Sequence, residues 1–286
     1  MRLTAPGHLR VEETMLPPGQ EWSDETGAWR FVRISAGAAY WLGASNPRSL
    51  TQGEVLIISP AAKALVRASQ LNTVSLHGFT FVPDWLCGFF TLSERRFFES
   101  AAQPAEPVSF LPSTHPFSQG FARLVGRGDA DQELVQRADA LSLVAAYFGQ
   151  GLGNHELPPG RSPSVRDRFE QIVCQMPDLE LIQHSPEQLA RLCGCSARHF
   201  SRLFRERFGG SPRARQTEMR LLKARELLAN SEKKIAQIAL DSGYRSSSLF
   251  NSLFRRRFGA SPSAWREQAA KANQTLFQDT DRSEVT

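Results

Sequence analysis

Two hydrophobic rhythms divide the chain. The first 80 or so residues carry short β-branched or aromatic runs separated by Gly, Asn and Pro, among them WRFVRISAGAAYWLG from Trp29 and EVLIISPAAKALVRA from Glu54. In LNTVSLHGFTF, Thr73, Ser75 and His77 alternate against Val74, Leu76 and, less strictly, Phe79. Alternation of this kind predicts half-buried strands, and several at short spacing predict an antiparallel sandwich or barrel. Two helical patterns follow, one over Pro116–Val125 and a stronger one over Asp131–Leu152. In the second, Leu134, Ala138, Leu141, Ala145, Phe148 and Leu152 recur at spacings of four and three. That seam can pack on its own β domain or against a second copy of the chain, and the two readings are compatible.

From Gly151 to Ser164, GLGNHELPPGRSPS is rich in Gly, Pro and Ser and reads as a linker. Beyond it the period is helical throughout. RDRFEQIVCQM predicts one amphipathic helix, and Ser185-Pro186-Glu187 supplies an N-cap and a first-turn proline for the next. RARQTEMRLLKARELLAN predicts a helix of about 18 residues, roughly 27 Å long. The pattern predicts an α+β protein of two domains: β-rich with added helices over 1–155, all-α over 165–270. A tail over 271–286 has no apolar period and is expected to be disordered.

Within the helical half the sequence repeats itself. At an offset of 50, Phe200, Leu203, Phe204 and Phe208 meet Phe250, Leu253, Phe254 and Phe258, and Ser211-Pro212 meets Ser261-Pro262. Upstream the offset is 49, so that Ala190 meets Ala239 and Gly194 meets Gly243, and the second copy has one extra residue near Tyr244–Ser246. Each copy reads as helix, glycine turn, helix, the helix-turn-helix pattern. The apolar positions i, i+3, i+4 and i+8 must be buried together. Arg198, Ser201, Arg202 and Arg205 then face away in one copy, and Ser247, Ser248, Asn251, Ser252 and Arg255 in the other. Arg can chelate guanine, Asn can chelate adenine, and Ser can donate or accept, so this chemistry suits base readout in a major groove. Arg205, Arg207, Arg255, Arg256 and Arg257 lie toward the helix C-termini and suit phosphate contacts. The linking helix is long enough to hold two such helices about 34 Å apart, one turn of duplex DNA.

Charge strengthens this picture. Arg161 to Ala270 holds 20 Lys and Arg against 11 Asp and Glu, a balance of +9; the whole chain is +5, so the remainder carries −4. A basic half joined to an acidic half suggests a polyanion-binding module attached to something else. There is no apolar run long enough for a membrane helix and no signal-peptide pattern at the N-terminus, so a cytoplasmic protein without membrane contact is expected. Four cysteines are too few for a disulfide framework.

The stretch IAQIALDSGYRSSSLFNSLFRRRFGASPSAW, with RLLKARELLANSEKKIAQIA before it, resembles the signature of AraC/XylS-type transcription regulators over about Arg166–Gln268. The resemblance implies a seven-helix DNA-binding domain with two helix-turn-helix motifs. It implies base contacts by Arg198, Ser201 and Arg202 in one recognition helix and by Ser247, Ser248, Asn251 and Ser252 in the other. It also implies an N-terminal cupin-like sensor and dimerisation domain, control by a small-molecule effector, and activation of transcription through RNA polymerase by a homodimer. Two departures stand out. Ser252 sits where the family often has Arg, and Arg215 replaces an aromatic that Trp265 retains in the second copy. The β half matches the cupin pattern only loosely: no His-x-His occurs around Trp29–Tyr40, and Ala61–Ala64 offer no His.

Other constellations are weaker. Cys193, Cys195 and His199, with His184 upstream, could suggest zinc or redox chemistry, but no second Cys pair accompanies them. In the β half, Arg30, Arg33, Trp41 and His77 are candidate effector contacts in an aromatic-rich pocket. Leu134, Leu141, Ala145 and Phe148 are candidate dimer contacts. No catalytic set and no cofactor are implied. An N-terminal enzyme or carbohydrate-binding module, or a domain that only dimerises or binds a protein partner, are the competing readings of that half.

Overall fold

The computed structural model describes residues 8–24, 26–43, 47–104, 106–126, 133–149 and 163–269. The linker over 151–162, Leu152 of the seam and the tail over 271–286 lie outside the described residues. The described chain separates into two units, one of residues 8–82 and 97–149, the other of Pro83–Arg96 and 163–269.

The first unit carries nine strands: β1 (Glu12–Leu16), β2 (Glu21–Asp24), β3 (Trp29–Ala36), β4 (Ala39–Trp41), β5 (Arg48–Leu50), β6 (Val55–Ile58), β7 (Ala64–Ala68), β8 (Val74–Phe81) and β9 (Val108–Leu111). They form two sheets, β1-β8-β3-β6-β9 and β2-β7-β4-β5, with every pairing antiparallel. Strand alternation sorts β3 cleanly. Val32 and Ile34 point inward and, with Leu76 of β8, Leu56 of β6, Trp41 of β4 and Val66 of β7, form the core between the sheets. Phe31 points the other way, where it stacks on Phe79 at 4.8 Å and on Phe117 at 5.6 Å. β1, β2, β5 and β9 escape the sequence reading because they are only three to five residues long, and the first three are largely polar.

Two helices cover that outer face: α2 (Pro116–Val125) and α3 (Glu133–Phe148). α2 starts at His115, whose side chain accepts a hydrogen bond from the Phe117 N–H. α3 packs through Ala140, Val144 and Phe148, all buried. This corrects one part of the seam read from spacing. Phe148 is a core residue, edge-on to Trp29 at 5.0 Å and to Phe98 at 5.2 Å, because the helix turns that face onto its own sheet. Leu134, Ala138 and Ala145 are exposed and Leu141 is half-buried, so an apolar stripe remains on the solvent side.

The second unit is helical. α1 (Leu92–Ala101) starts here. It is followed by α4 (Val165–Phe169), which continues as a wider π turn over Glu170–Cys174, then α5 (Pro186–Leu192), α6 (Ala197–Phe208), α7 (Pro212–Asn230), α8 (Ile235–Asp241) and α9 (Ser247–Phe258). A further helix covers 262–269. Among the described residues no helix is long and apolar enough to cross a membrane.

Two phenylalanine-centred cores hold the unit. In the first, Phe169 of α4 meets Phe200, Phe204 and Phe208 of α6 at ring distances of 5.7, 6.3 and 6.2 Å. In the second, Phe250, Phe254 and Phe258 of α9 pack with Met219, Leu222 and Leu228 of α7. Trp265 closes that core at 5.3 Å from Phe258 and 6.0 Å from Phe254. Arg215, its counterpart, is half-buried, and Phe169 supplies the aromatic contact to Phe208 in the first core. α7 joins the two cores: Gln216 near its start donates to the carbonyls of Leu181 (2.9 Å) and His184 (2.6 Å) before the first motif, and its later turns fill the second core.

Phe254 is fully buried, so Phe254→Ala is expected to cost about 3–5 kcal/mol in urea denaturation, whereas Ser252→Ala, fully outside the core, is expected to stay within about 0.5 kcal/mol.

Candidate nucleic-acid interface

The repeat in sequence is a repeat in hydrogen bonds. In the first motif, α5 ends as Gly194 N donates to Arg191 O at 2.9 Å and Cys195 N donates to Ala190 O at 2.9 Å. In the second, α8 ends as Gly243 N donates to Leu240 O at 2.8 Å and Tyr244 N donates to Ala239 O at 2.9 Å. Gly194 and Gly243 take φ of 68° and 87°, a left-handed geometry that a side chain would strain. A Cβ on Gly194 would also stand 2.8 Å from the Arg168 guanidinium, which is held there by its bond to the Cys193 carbonyl. The extra residue of the second turn is Arg245, which is exposed and leaves both neighbouring elements in register.

Both second helices begin on a serine. Ser196 accepts from the His199 N–H and Ser246 from the Leu249 N–H. Both end on a left-handed glycine, Gly209 and Gly259. Both are followed by a serine cap and a proline, Ser211-Pro212 and Ser261-Pro262. Local chemistry thus sets the length and start of each helix, and the buried phenylalanines set its rotation.

That rotation turns the remaining side chains outward. On α6, Arg198, Arg202 and Arg205 are exposed and Ser201 is half-buried; together with Ser196 and His199 they line one open depression. On α9, Asn251, Ser252, Arg255 and Arg256 are exposed and line a second with Ser261 and Ser263. Ser247 and Ser248 are exposed at the N-terminal end of α9, outside that lining. Acids intrude only on α6, where Glu206 lies 4.0 Å from Arg202 and 3.4 Å from Arg166.

The basic residues divide in two. Arg198, Arg205, Arg255 and Arg256 present their side chains to solvent. Arg207 does not fit the phosphate role assigned from its position: it is half-buried and ion-paired to Glu170 at 3.4 Å. Arg257, its counterpart fifty residues on, behaves alike, donating to Glu218 at 2.7 Å. These positions flank the buried phenylalanines, so their side chains run along the helix flank toward acids of neighbouring elements, a relation that spacing alone does not reveal.

The cysteines are free thiols. Burial pushes Cys193 up to about 11 and Cys174 to about 12, so both stay protonated and are poor nucleophiles.

In the β unit the four residues taken as effector contacts fall on two faces. Arg30 points into the space between the sheets. It donates to Thr80 Oγ1 at 2.5 Å, lies 3.9 Å from Glu12, and sits 5.9 Å from the centre of the Trp22 ring. Trp41 packs in the same interior core. Arg33 and His77 are cross-strand neighbours on the opposite face. Arg33 donates to the carbonyls of Gly53 (2.8 Å) and Ser118 (3.3 Å), and His77 pairs with Ser35 Oγ at 2.8 Å. Burial pulls the His77 imidazole below its ordinary value, Glu13 opposing and Arg33 reinforcing the shift. The period-two pleat separates residues 30 and 33, so no single pocket gathers all four.

Two turn-linked helices, each with a buried aromatic face and an exposed basic and polar face, define a protein that binds DNA through a double helix-turn-helix. Residues 189–268 match a protein family described as a helix-turn-helix domain. Over 221 residues the chain is 29% identical to the virulence regulon transcriptional activator VirF of Yersinia enterocolitica, covering 75% of this chain and 80% of that one. It is 28% identical over the same length to the thermoregulatory protein LcrF of Yersinia pestis. A solved transcriptional regulator from Chromobacterium violaceum, described among AraC-type DNA-binding domain-containing proteins, is 32% identical, over 32% of this chain and 92% of that one, with a TM-score of 0.30. The chain is a DNA-binding transcriptional regulator similar to those of the AraC/XylS family.

Proposed function

We propose that one chain reads two successive major-groove segments of double-stranded DNA, one with each recognition helix. The observation that carries this reading is the equivalent outward rotation of α6 and α9, each held by its own row of buried phenylalanines. Arg198, Ser201 and Arg202 contact base edges in one segment; Ser247, Ser248, Asn251 and Ser252 do so in the other. Arg205, Arg255 and Arg256 bind phosphates, while Arg207 remains with Glu170. α7, at 19 residues and so about 28 Å, suits a separation near the 34 Å turn of B-DNA.

Recruitment of RNA polymerase, and hence activation, is the regulatory outcome we infer, in line with the activator name carried by the Yersinia enterocolitica relative. The β unit is the cytoplasmic sensor and dimerisation domain, with the domain limits near 155 and 165. Its interior is the effector site: Arg30 is buried between the sheets, and its Nε has no partner among the described residues. Gly78 lets the β8 backbone pass close beside it: a Cβ there would stand 3.6 Å from Arg30 Nε and 3.1 Å from the Phe31 carbonyl. A buried guanidinium with spare donor capacity suits an anionic small molecule such as a carboxylate. Arg33 and His77 serve the outer face and take no part. The stripe of Leu134, Leu141 and Ala145 is the homodimer contact.

Four results are expected. Arg202→Ala weakens operator binding by about 1–3 kcal/mol and relaxes preference at one segment, read by fluorescence anisotropy on base-substituted probes. In the same assay, Arg205→Ala lowers the slope of log affinity against log salt by about 0.9, and Arg207→Ala leaves it unchanged. Leu141→Asp shifts the chain toward monomer in sedimentation velocity without lowering its melting temperature. In a thermal-shift screen of carboxylate metabolites, any compound that stabilises the wild-type chain is expected to lose its effect on Arg30→Met.

A further inference from the structure

Residues Pro83–Arg96 belong to the helical unit, although the rest of that unit lies far along the chain. They join both phenylalanine cores. Leu92 is buried in the first, with Phe169, Phe200 and Phe204. Cys87 packs against the second, which contains Phe250, Phe254 and Phe258. The backbone is fastened to the stretch before α5: Leu92 N donates to Met176 O at 3.0 Å, Asp178 N donates to Phe90 O at 2.9 Å, and Gly88 N donates to Asp178 Oδ1 at 2.7 Å.

A charge network runs through the same segment. Arg95 and Asp178 are 2% and 0% exposed and form a buried pair, with Arg95 Nε donating to Asp178 Oδ2 at 2.6 Å. Arg95 Nη1 donates to Asp84 Oδ1 at 2.8 Å. Asp84 Oδ2 in turn lies 3.6 Å from Arg257 of α9, and the Asp84 carbonyl accepts from Arg225 of α7. The path Asp178–Arg95–Asp84–Arg257 therefore leads from the first motif's core to the second recognition helix. The equivalent arginine of the first helix, Arg207, is held by Glu170 of the adjoining turn. A buried pair of this kind contributes position more than net stability, because desolvation offsets much of the attraction while either partner alone is strongly unfavourable.

We propose that Pro83–Arg96 is a clip that sets the separation and phase of the two recognition helices, with Asp84 as a positioning residue acting through Arg257. The proposal rests on the two-segment reading above. A clip of this kind acts on spacing: it changes which separations of the two DNA segments can be bound together, and leaves binding to either segment alone unaltered.

The test uses the full chain and a duplex selected from a random library by the wild-type protein. Affinity is then measured on that duplex, on versions with the two segments moved by −1, +1 and +2 base pairs, and on one with a single segment scrambled. For Asp84→Asn, affinity for the selected duplex is expected to fall about fivefold to tenfold, the lower end of typical coupling between sites. Discrimination against respaced duplexes is expected to flatten, with single-segment binding unchanged. Asp84→Glu is expected to restore the spacing preference. A spacing profile identical to wild type, or an equal loss on every duplex including the single-segment one, overturns the clip. If Asp84→Asn does not fold, Arg257→Gln is scored in the same way, each profile normalised to its own single-segment affinity. A wild-type protein that selects only one segment overturns the two-segment reading and the clip with it; two selected segments with an unaltered Asp84→Asn profile overturn the clip alone.

Discussion

Burial of two rows of phenylalanine underlies the DNA-facing half of this protein. Phe200, Phe204 and Phe208 on α6, and Phe250, Phe254 and Phe258 on α9, lie on single faces at helical spacing and are withdrawn from water. A helix whose one face is committed in this way has no freedom left in its rotation. Its opposite face is then the surface the molecule offers to a partner, and in both copies that face carries arginine, serine or asparagine.

The second constraint is repetition of backbone chemistry. The same turn bonds, the same serine caps and the same left-handed glycines bracket α6 and α9. Differences between the copies, such as Cys195 against Tyr244 and His199 against Leu249, leave these bonds in place because the differing residues contribute only backbone groups to them. Arg245 is accommodated as an extra exposed turn residue, and the aromatic absent at Arg215 is matched by Phe169 from a different helix. The fold therefore conserves geometry between the halves while their exposed faces differ in chemistry: α6 exposes Arg198, Arg202 and Arg205, whereas α9 exposes Ser247, Ser248, Asn251 and Ser252 ahead of Arg255 and Arg256. Two surfaces of unlike hydrogen-bonding capacity suit an asymmetric target.

The β unit follows a different logic. Its strands are short, and those of the five-stranded sheet alternate between an interior packed between sheets and an outer face covered by α2 and α3. Polar groups occur on both faces. Arg30 is enclosed with Glu12, Thr80 and Trp22, whereas Arg33 and His77 support the outer face through Gly53, Ser118 and Ser35. The interior arginine keeps Nε unpartnered among the described residues.

Much was legible along the chain because it depends on near neighbours. The duplicated helices, their caps, the turn glycines, the span of α2 and the strand character around Trp29, Glu54 and Val74 all follow from spacing and local hydrogen bonding, which act within a few residues. The exposed faces of α6 and α9 were legible for the same reason, since burying one side of a helix exposes the other. What needed the tertiary structure were relations between distant residues. Phe148 turned inward because a sheet lay beneath it, Arg207 met Glu170, Arg30 met Thr80 and Glu12, and Pro83–Arg96 joined the helical unit through Asp84, Arg95 and Asp178. Ion pairs and core contacts of that kind depend on which surfaces the folded chain brings together, and one-dimensional spacing holds no record of it.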